Sequence, residues 1–337
     1  MTKLMKTTSL ATLILLFSGC TNSMNNIIPD SKPKVDNSIE VVNYDSIKSI
    51  PDMANVGFEW EKVNDPRVIG YNFYRTEIDK GSNELKLVKV LDNKYATHYV
   101  DRGLEPKTRY AYQISSITAN GTESKTTDAY IVQTLPRIVP VDFVQAISDL
   151  PNSVKLVWKP HQDKRVGYYR IEKYNTLLNE WILLKTINER LQVEYVDTNL
   201  DNNTSYKYRV KAFSFDDVEA APSKVVTGKT KPLPASPTNV RATNSESKKI
   251  ILSWNPSTTD DVVKYEIQRS IFRAFGYEKI KEVNANTTEY IDSTDSAGKT
   301  YYYKVIAIDK DGLESSPEPV QGMSFNESRF QNLTKLS

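Results

Sequence analysis

Apolar and polar residues alternate over Tyr206, Tyr208, Val210 and Ala212, with Lys207, Arg209 and Lys211 between them. A period of two sends one set of side chains to a core and the other to water, so the run predicts a β-strand with one buried face. The same alternation recurs at Tyr110, Tyr112 and Ile114, and at Tyr301, Tyr303, Val305 and Ala307. Beyond the N-terminal apolar run no segment sustains helical periodicity. The chain is therefore expected to be all-β and built of sandwiches.

These runs sit inside a longer repeat. A Trp, a Tyr eleven residues on, and then two Tyr residues eleven apart occur as Trp60, Tyr71, Tyr99, Tyr110; as Trp158, Tyr169, Tyr195, Tyr206; and as Trp254, Tyr265, Tyr290, Tyr301. Self-similarity at a period of about 95 residues means three copies of one module. The expected modules are residues 41–136, 137–233 and 234–325, with a polar tail at 326–337. Pro136, Pro140, Pro232, Pro234 and Pro237 mark the two joints, and short Pro-rich connections favour a semi-rigid, elongated tandem array. Residues 20–40 are rich in Asn, Ser, Pro and Lys and lack periodicity. They read as a flexible tether with a reach of roughly 25 Å.

At the N-terminus, Lys3 and Lys6 precede an apolar run from Leu10 to Phe17 that is too short to span a bilayer. Residues 1–19 are expected to be a signal peptide. Phe17, Ser18, Gly19 and Cys20 resemble a bacterial lipoprotein box, which implies cleavage before Cys20 and lipidation of its sulfur. Cys20 is the only cysteine, so no internal disulfide can form, and a lipid would account for the otherwise unpaired exported thiol. Thr21 stands where an Asp would imply inner-membrane retention, so the expected destination is the outer membrane.

Each module resembles a fibronectin type III domain. The likeness rests on the Trp of the second strand and on the third-strand pattern Tyr71, Phe73, Arg75 (Tyr169, Ile171, Lys173; Tyr265, Ile267, Arg269). It rests also on the turn Leu104, Pro106, Thr108, Tyr110, which matches the family's tyrosine corner. The second copy has Asn202 for Pro, and the third keeps only Thr300 and Tyr301 of the turn. Gly121, Asp217 and Gly312 each fall eleven residues after the corner Tyr, so the last hairpin has one length throughout.

Composition narrows the function. The net charge is +2, and loss of Lys3 and Lys6 would leave 42 basic against 42 acidic side chains. That balance argues against a nucleic-acid partner, which needs a strong basic excess. The two histidines, His98 and His161, fall in different modules at non-equivalent positions, so no catalytic triad or His-rich metal site is indicated. No carboxylate pair is singled out as acid and base, and Asp101, Asp197 and Asp292 recur in all three copies as part of the fold. The chain is expected to be a binding or spacing protein without enzymatic activity, cofactor, metal or small-molecule substrate.

One loop departs from its siblings. Trp158, Lys159, Pro160, His161, Gln162, Asp163, Lys164, Arg165 and Val166 carry three full positive charges and a histidine, whereas the matching loop of the third module is acidic. Loop ends are where this architecture usually places recognition. The stretch is similar to one in the middle module of the fibronectin-like lipoprotein adhesins of Campylobacter and related bacteria, which have three fibronectin type III domains. That resemblance implies binding of host fibronectin by these nine residues. Trp158 is expected to be a core residue, and Lys159, His161, Lys164 and Arg165 to be exposed. Two other readings stand beside this one: a spacer or assembly protein of the envelope, and a glycan platform at Phe272 and Phe275.

Overall fold

The computed structural model describes residues 33–81, 84–243 and 247–325; Cys20, the signal segment and the tail lie outside the described residues. Among the described residues no helix is long and apolar enough to cross a membrane. The chain folds as three tandem sandwiches, each a three-stranded and a four-stranded antiparallel sheet. The first sandwich is one compact unit, and the second and third together form another.

The first sandwich contains β1 (Lys48–Pro51), β2 (Asn55–Glu59), β3 (Val68–Glu77), β4 (Lys86–Leu91), β5 (His98–Arg102), β6 (Arg109–Thr118) and β7 (Tyr130–Gln133). Its sheets run β1-β2-β5 and β4-β3-β6-β7. The second contains β8 (Val144–Leu150), β9 (Ser153–Trp158), β10 (Val166–Asn175), β11 (Glu180–Ile187), β12 (Glu194–Asp197), β13 (Ser205–Ser214) and β14 (Val226–Lys229). The third contains β15 (Thr238–Ala242), β16 (Lys249–Asn255), β17 (Val262–Ser270), β18 (Glu278–Asn284), β19 (Glu289–Ser293), β20 (Thr300–Asp309) and β21 (Val320–Met323). Both repeat the same sheet order.

The alternation expected in β13 is present: Tyr208, Val210 and Ala212 are fully buried. Trp60, Trp158 and Trp254 are core residues, and each packs edge-on against the Tyr eleven residues later, with ring centroids 5.5, 5.6 and 5.7 Å apart. That geometry suits the aromatic quadrupole, and burying rings of this size dominates the stability of a core without disulfides. All three indole N–H groups are buried without a hydrogen-bond partner.

The recurring Asp has a structural task in each copy. Asp101 accepts hydrogen bonds from Tyr112 Oη at 2.7 Å and Arg75 Nη1 at 2.6 Å. Asp197 accepts from Tyr208 at 2.8 Å and Lys173 at 3.0 Å, and Asp292 from Tyr303 at 2.7 Å and Arg269 at 3.0 Å. Burial, reinforced by the adjacent carboxylate, pushes all three tyrosine hydroxyls well above the usual phenol range. A tyrosine corner closes in the second module, where Asp201 N–H donates to Tyr206 Oη at 3.0 Å despite Asn202 at the Pro position. In the last hairpin of each module, Gly121, Asp217 and Gly312 all adopt positive φ. This is the conformation glycine tolerates best and Asp next.

The chain joins the first sandwich earlier than its composition predicts, within the stretch read as tether. Ile39 and Val42 belong to the first core, and Val35 forms a parallel bridge to Glu123. Asp36 N donates to Glu123 O at 2.8 Å and Glu123 N to Lys34 O at 2.9 Å. The buried Glu123 carboxylate accepts from Asn72, Tyr74 and Ser115. Ser38 is held in turn by Arg67, whose Nη2 donates to Ser38 O at 2.6 Å. Enough apolar surface lies between residues 35 and 42 to bind this stretch to the sandwich, although its polar letters read as tether.

Candidate binding loop of the middle module

The loop from β9 to β10 is pinned from inside the sandwich. Tyr169, buried on β10, accepts a hydrogen bond from His161 N at 2.8 Å and donates to Arg190 O at 3.0 Å. Arg190 Nη1 returns a bond to His161 O at 2.7 Å. The landmark Tyr therefore does more than fill the core, because its hydroxyl also fixes the path of the loop. The sibling loops use the same device: Val63 N donates to Tyr71 Oη at 3.1 Å and Ser257 N to Tyr265 Oη at 2.9 Å.

His161 is 7% exposed, which corrects the expectation that it faces solvent. Its Nε2 lies 3.0 Å from Val139 O, and its Nδ1 accepts from Asp163 N at 3.0 Å. This arrangement assigns the proton to Nε2, because Nδ1 is already an acceptor. In the third module Ser257 has the same two tasks: its Oγ donates to Ala235 O at 2.6 Å and accepts from Thr259 N at 3.1 Å. A residue that a serine replaces function for function is a structural tie between the loop and the incoming first strand.

Arg165 is also not the free cation expected. It forms a bidentate pair with Asp163, Nε to Oδ1 at 3.0 Å and Nη2 to Oδ2 at 2.6 Å. That hydrogen bonding holds the Asp163 carboxyl below the usual range against partial burial. The first module repeats the pair as Asp65 and Arg67. Trp158 and Val166 are buried in the core, and Asp163 and Arg165 are half-buried. Lys159, Pro160, Gln162 and Lys164 are left as the exposed residues of the nine. Lys159 Nζ lies over the Phe143 ring, 5.4 Å from its centroid. A shallow groove of about 370 Å³ runs between Val139, Asp142, Lys159 and Gln162.

A second cluster was not legible in the sequence. Thr259 stands at the position of Asp163 and Asp261 at that of Arg165, so the third module lacks the local pair and puts a carboxylate in the cation's place. The cation that meets Asp261 is Lys231, at the end of the second module, whose Nζ reaches Asp261 Oδ2 at 2.7 Å, Asp309 Oδ2 at 2.7 Å and also Asp311. The three carboxylates lie within metal-binding distance of one another, and the Lys231 ammonium contacts all three. Burial pushes the Asp309 carboxyl up, but Lys231 and the N–H groups of Leu313 and Asp311 outweigh it and hold it below the usual range. Phe272 and Phe275 stack at 4.7 Å, and both are half exposed or more.

Residues 235–323 match the model of the fibronectin type III domain. The third module is a fibronectin type III domain. The first two repeat its sheet order, its buried Trp and its Asp–Tyr network. The chain is 26% identical over 269 residues to Exoglucanase B of Cellulomonas fimi, covering 75% of this chain and 22% of that protein. It is 23% identical over 315 residues to Amylopullulanase of Thermoanaerobacter thermohydrosulfuricus, covering 78% of this chain and 21% of that one. To human Protein sidekick-1 it is 29% identical over 189 residues, covering 51% of this chain and 8% of that one. The chain thus spans about a fifth or less of the length of these relatives. Modules of this type support a protein-interaction or structural role.

Proposed function

We propose that the chain is a non-catalytic lipoprotein, anchored through Cys20 in the outer membrane of a Gram-negative cell and exposed at its surface, whose middle module binds host fibronectin. The observation that carries this reading is the placement of Lys159 and Lys164 on a loop fixed by Tyr169 and Arg190. The first module has Glu61 and Pro66 at those positions, and the third has Asn255 and Asp260. The middle copy is thus the one that presents cations at both, on a backbone that needs little ordering when a ligand arrives. Exposed charge pairs contribute about 0 to 1 kcal/mol each, so the two lysines steer and select and do not hold the ligand by themselves.

The test is saturable binding of the chain from Thr21 onward to immobilised fibronectin, beside a Lys159→Ala, Lys164→Ala variant. Weakened binding with unchanged melting supports the reading, and equal binding discards the loop. Absence of binding by both moves the assignment to the envelope spacer. That second reading draws support from the loop itself, where His161, Asp163 and Arg165 serve the fold.

A further inference from the structure

The joint between the second and third modules contains very little free chain. Lys231 is held in the second module by its backbone, its N–H donating to Leu150 O at 3.0 Å and its carbonyl accepting from Asn203 N at 3.2 Å. Ala235 is held in the third, its N–H donating to Thr259 Oγ1 at 2.9 Å and its carbonyl accepting from Ser257 Oγ at 2.6 Å. Only Pro232, Leu233 and Pro234 lie between them. Each Pro fixes its own φ and narrows the residue before it, so few torsions remain to absorb a change of angle. The Lys231 side chain crosses the same gap, to Asp261 in the β16–β17 loop and to Asp309 and Asp311 in the β20–β21 hairpin. Loop and hairpin are themselves tied, because Lys310 N donates to Asp261 O at 2.9 Å. Asp309 is fixed in turn by the N–H groups of Asp311 and Leu313, which both donate to its Oδ1. Lys231 is therefore anchored by its backbone in one module and by its ammonium in the next. Its side chain is 14% exposed and that of Asp309 is fully buried, so salt screens this contact much less than a surface pair.

The components of this contact change together along the chain. Thr134 and Thr230 have one role, each accepting from the N–H of a Thr 26 residues earlier, which makes Leu135 the counterpart of Lys231. Spacing from the landmark Trp and Tyr puts Arg165, Ser214 and Asp216 of the second module where the third has Asp261, Asp309 and Asp311. The earlier set thus has an apolar residue for the cation and a serine for the buried carboxylate. We infer that Lys231 is an ionic lock that fixes the angle between the second and third modules and makes them move as one rigid segment. Modules in tandem otherwise rotate against each other by default. Here two connections run side by side, the Pro-rich backbone and the Lys231 side chain, and each restrains rotation about the other.

The distance distribution between two spin labels tests this independently of the fibronectin reading. The chain from Thr21 onward has no native cysteine, so labels go on Leu177→Cys in the second module and Lys281→Cys in the third, both exposed positions. We expect a narrow distribution. In the Lys231→Met, Asp309→Ser variant, which removes the lock without leaving a buried charge unpaired, it should broaden by about twofold or more. Asp261→Asn, Asp311→Asn keeps the buried pair of Lys231 and Asp309 and removes the other two contacts, so it should broaden the distribution by a smaller step. Thermal melting establishes that each variant is folded, and the second decides alone if the first is not. A broad distribution in the unsubstituted chain overturns the inference, as does a width that neither variant changes.

Discussion

The β9–β10 loop of the middle module and its counterpart in the third module solve one problem with different residues. Both must satisfy a buried loop backbone and tie the loop to the incoming strand. The middle module uses His161 and the pair Asp163–Arg165, all within five residues. The third uses Ser257 locally and takes the cation for Asp261 from Lys231, thirty residues away and in the neighbouring module. The local solution leaves the loop independent of its neighbours. The distant one makes the third module's last hairpin depend on a residue that belongs to the second. A charged motif is therefore informative about binding only after the charges used by the fold have been subtracted.

The largest way to break the comparison is Lys231→Met. It leaves Asp309, whose side chain is fully buried, without its counter-ion, and removing one partner of such a pair costs about 3 to 5 kcal/mol. The measurement is hydrogen exchange at β20 and at Leu313, where protection should drop while β13 keeps its own. Adding Asp309→Ser, which restores the residue type of Ser214 in the middle module, should recover most of the loss. Failure of that double variant to recover would show that Lys231 acts through something other than Asp309.

Next in size is Tyr169→Phe. It leaves the buried His161 N–H without an acceptor, a cost of about 1 to 3 kcal/mol, and Tyr265→Phe should cost the third module a similar amount through Ser257. Chemical denaturation followed by tryptophan fluorescence would compare the two. His161→Ser sharpens the comparison further by placing one module's solution in the other. It should change stability by about 1 kcal/mol or less and leave fibronectin binding unchanged, whereas a large loss of binding would return His161 to the ligand surface.

Acid provides a smaller, graded test. The folded carboxyls of Asp163 and Asp309 are held below their ordinary value, so their contribution is complete above the unfolded value of about 3.9 and is lost as pH falls through the folded one. Lys231 is held above its ordinary value, so its contribution is complete below the unfolded value of about 10.4 and is lost as pH rises through the folded one. Melting of Lys231→Met should accordingly vary less with pH at both extremes. Smallest of all, Lys159→Ala and Lys164→Ala should each move stability by no more than about 0.5 kcal/mol in a thermal melt.

The fold was legible because its determinants are local and repeated. Alternation in β13, the Trp-to-Tyr spacing and the recurring Asp all survive as letters in the sequence. The loop was only half legible. Trp158 is legible as core because the repeat fixes it to an inward strand position, but the polar letter of His161 does not reveal that its ring nitrogens are both used. The Ser257 equivalence would have been the available signal, since it sits three residues after its Trp as His161 does. Lys231 gave no signal at all, because its three partners lie 30, 78 and 80 residues downstream and meet only once two modules have folded.

The backbone bridge between Val35 and Glu123 also has a mechanical meaning. If the chain is pulled from its N-terminal end, the load does not begin at β1. It must first break the two backbone hydrogen bonds to Glu123 and the clasp of Arg67 on Ser38. The first sandwich thus has a sacrificial fastener ahead of its first strand, and a single-molecule force trace should show a small early release before the first domain opens.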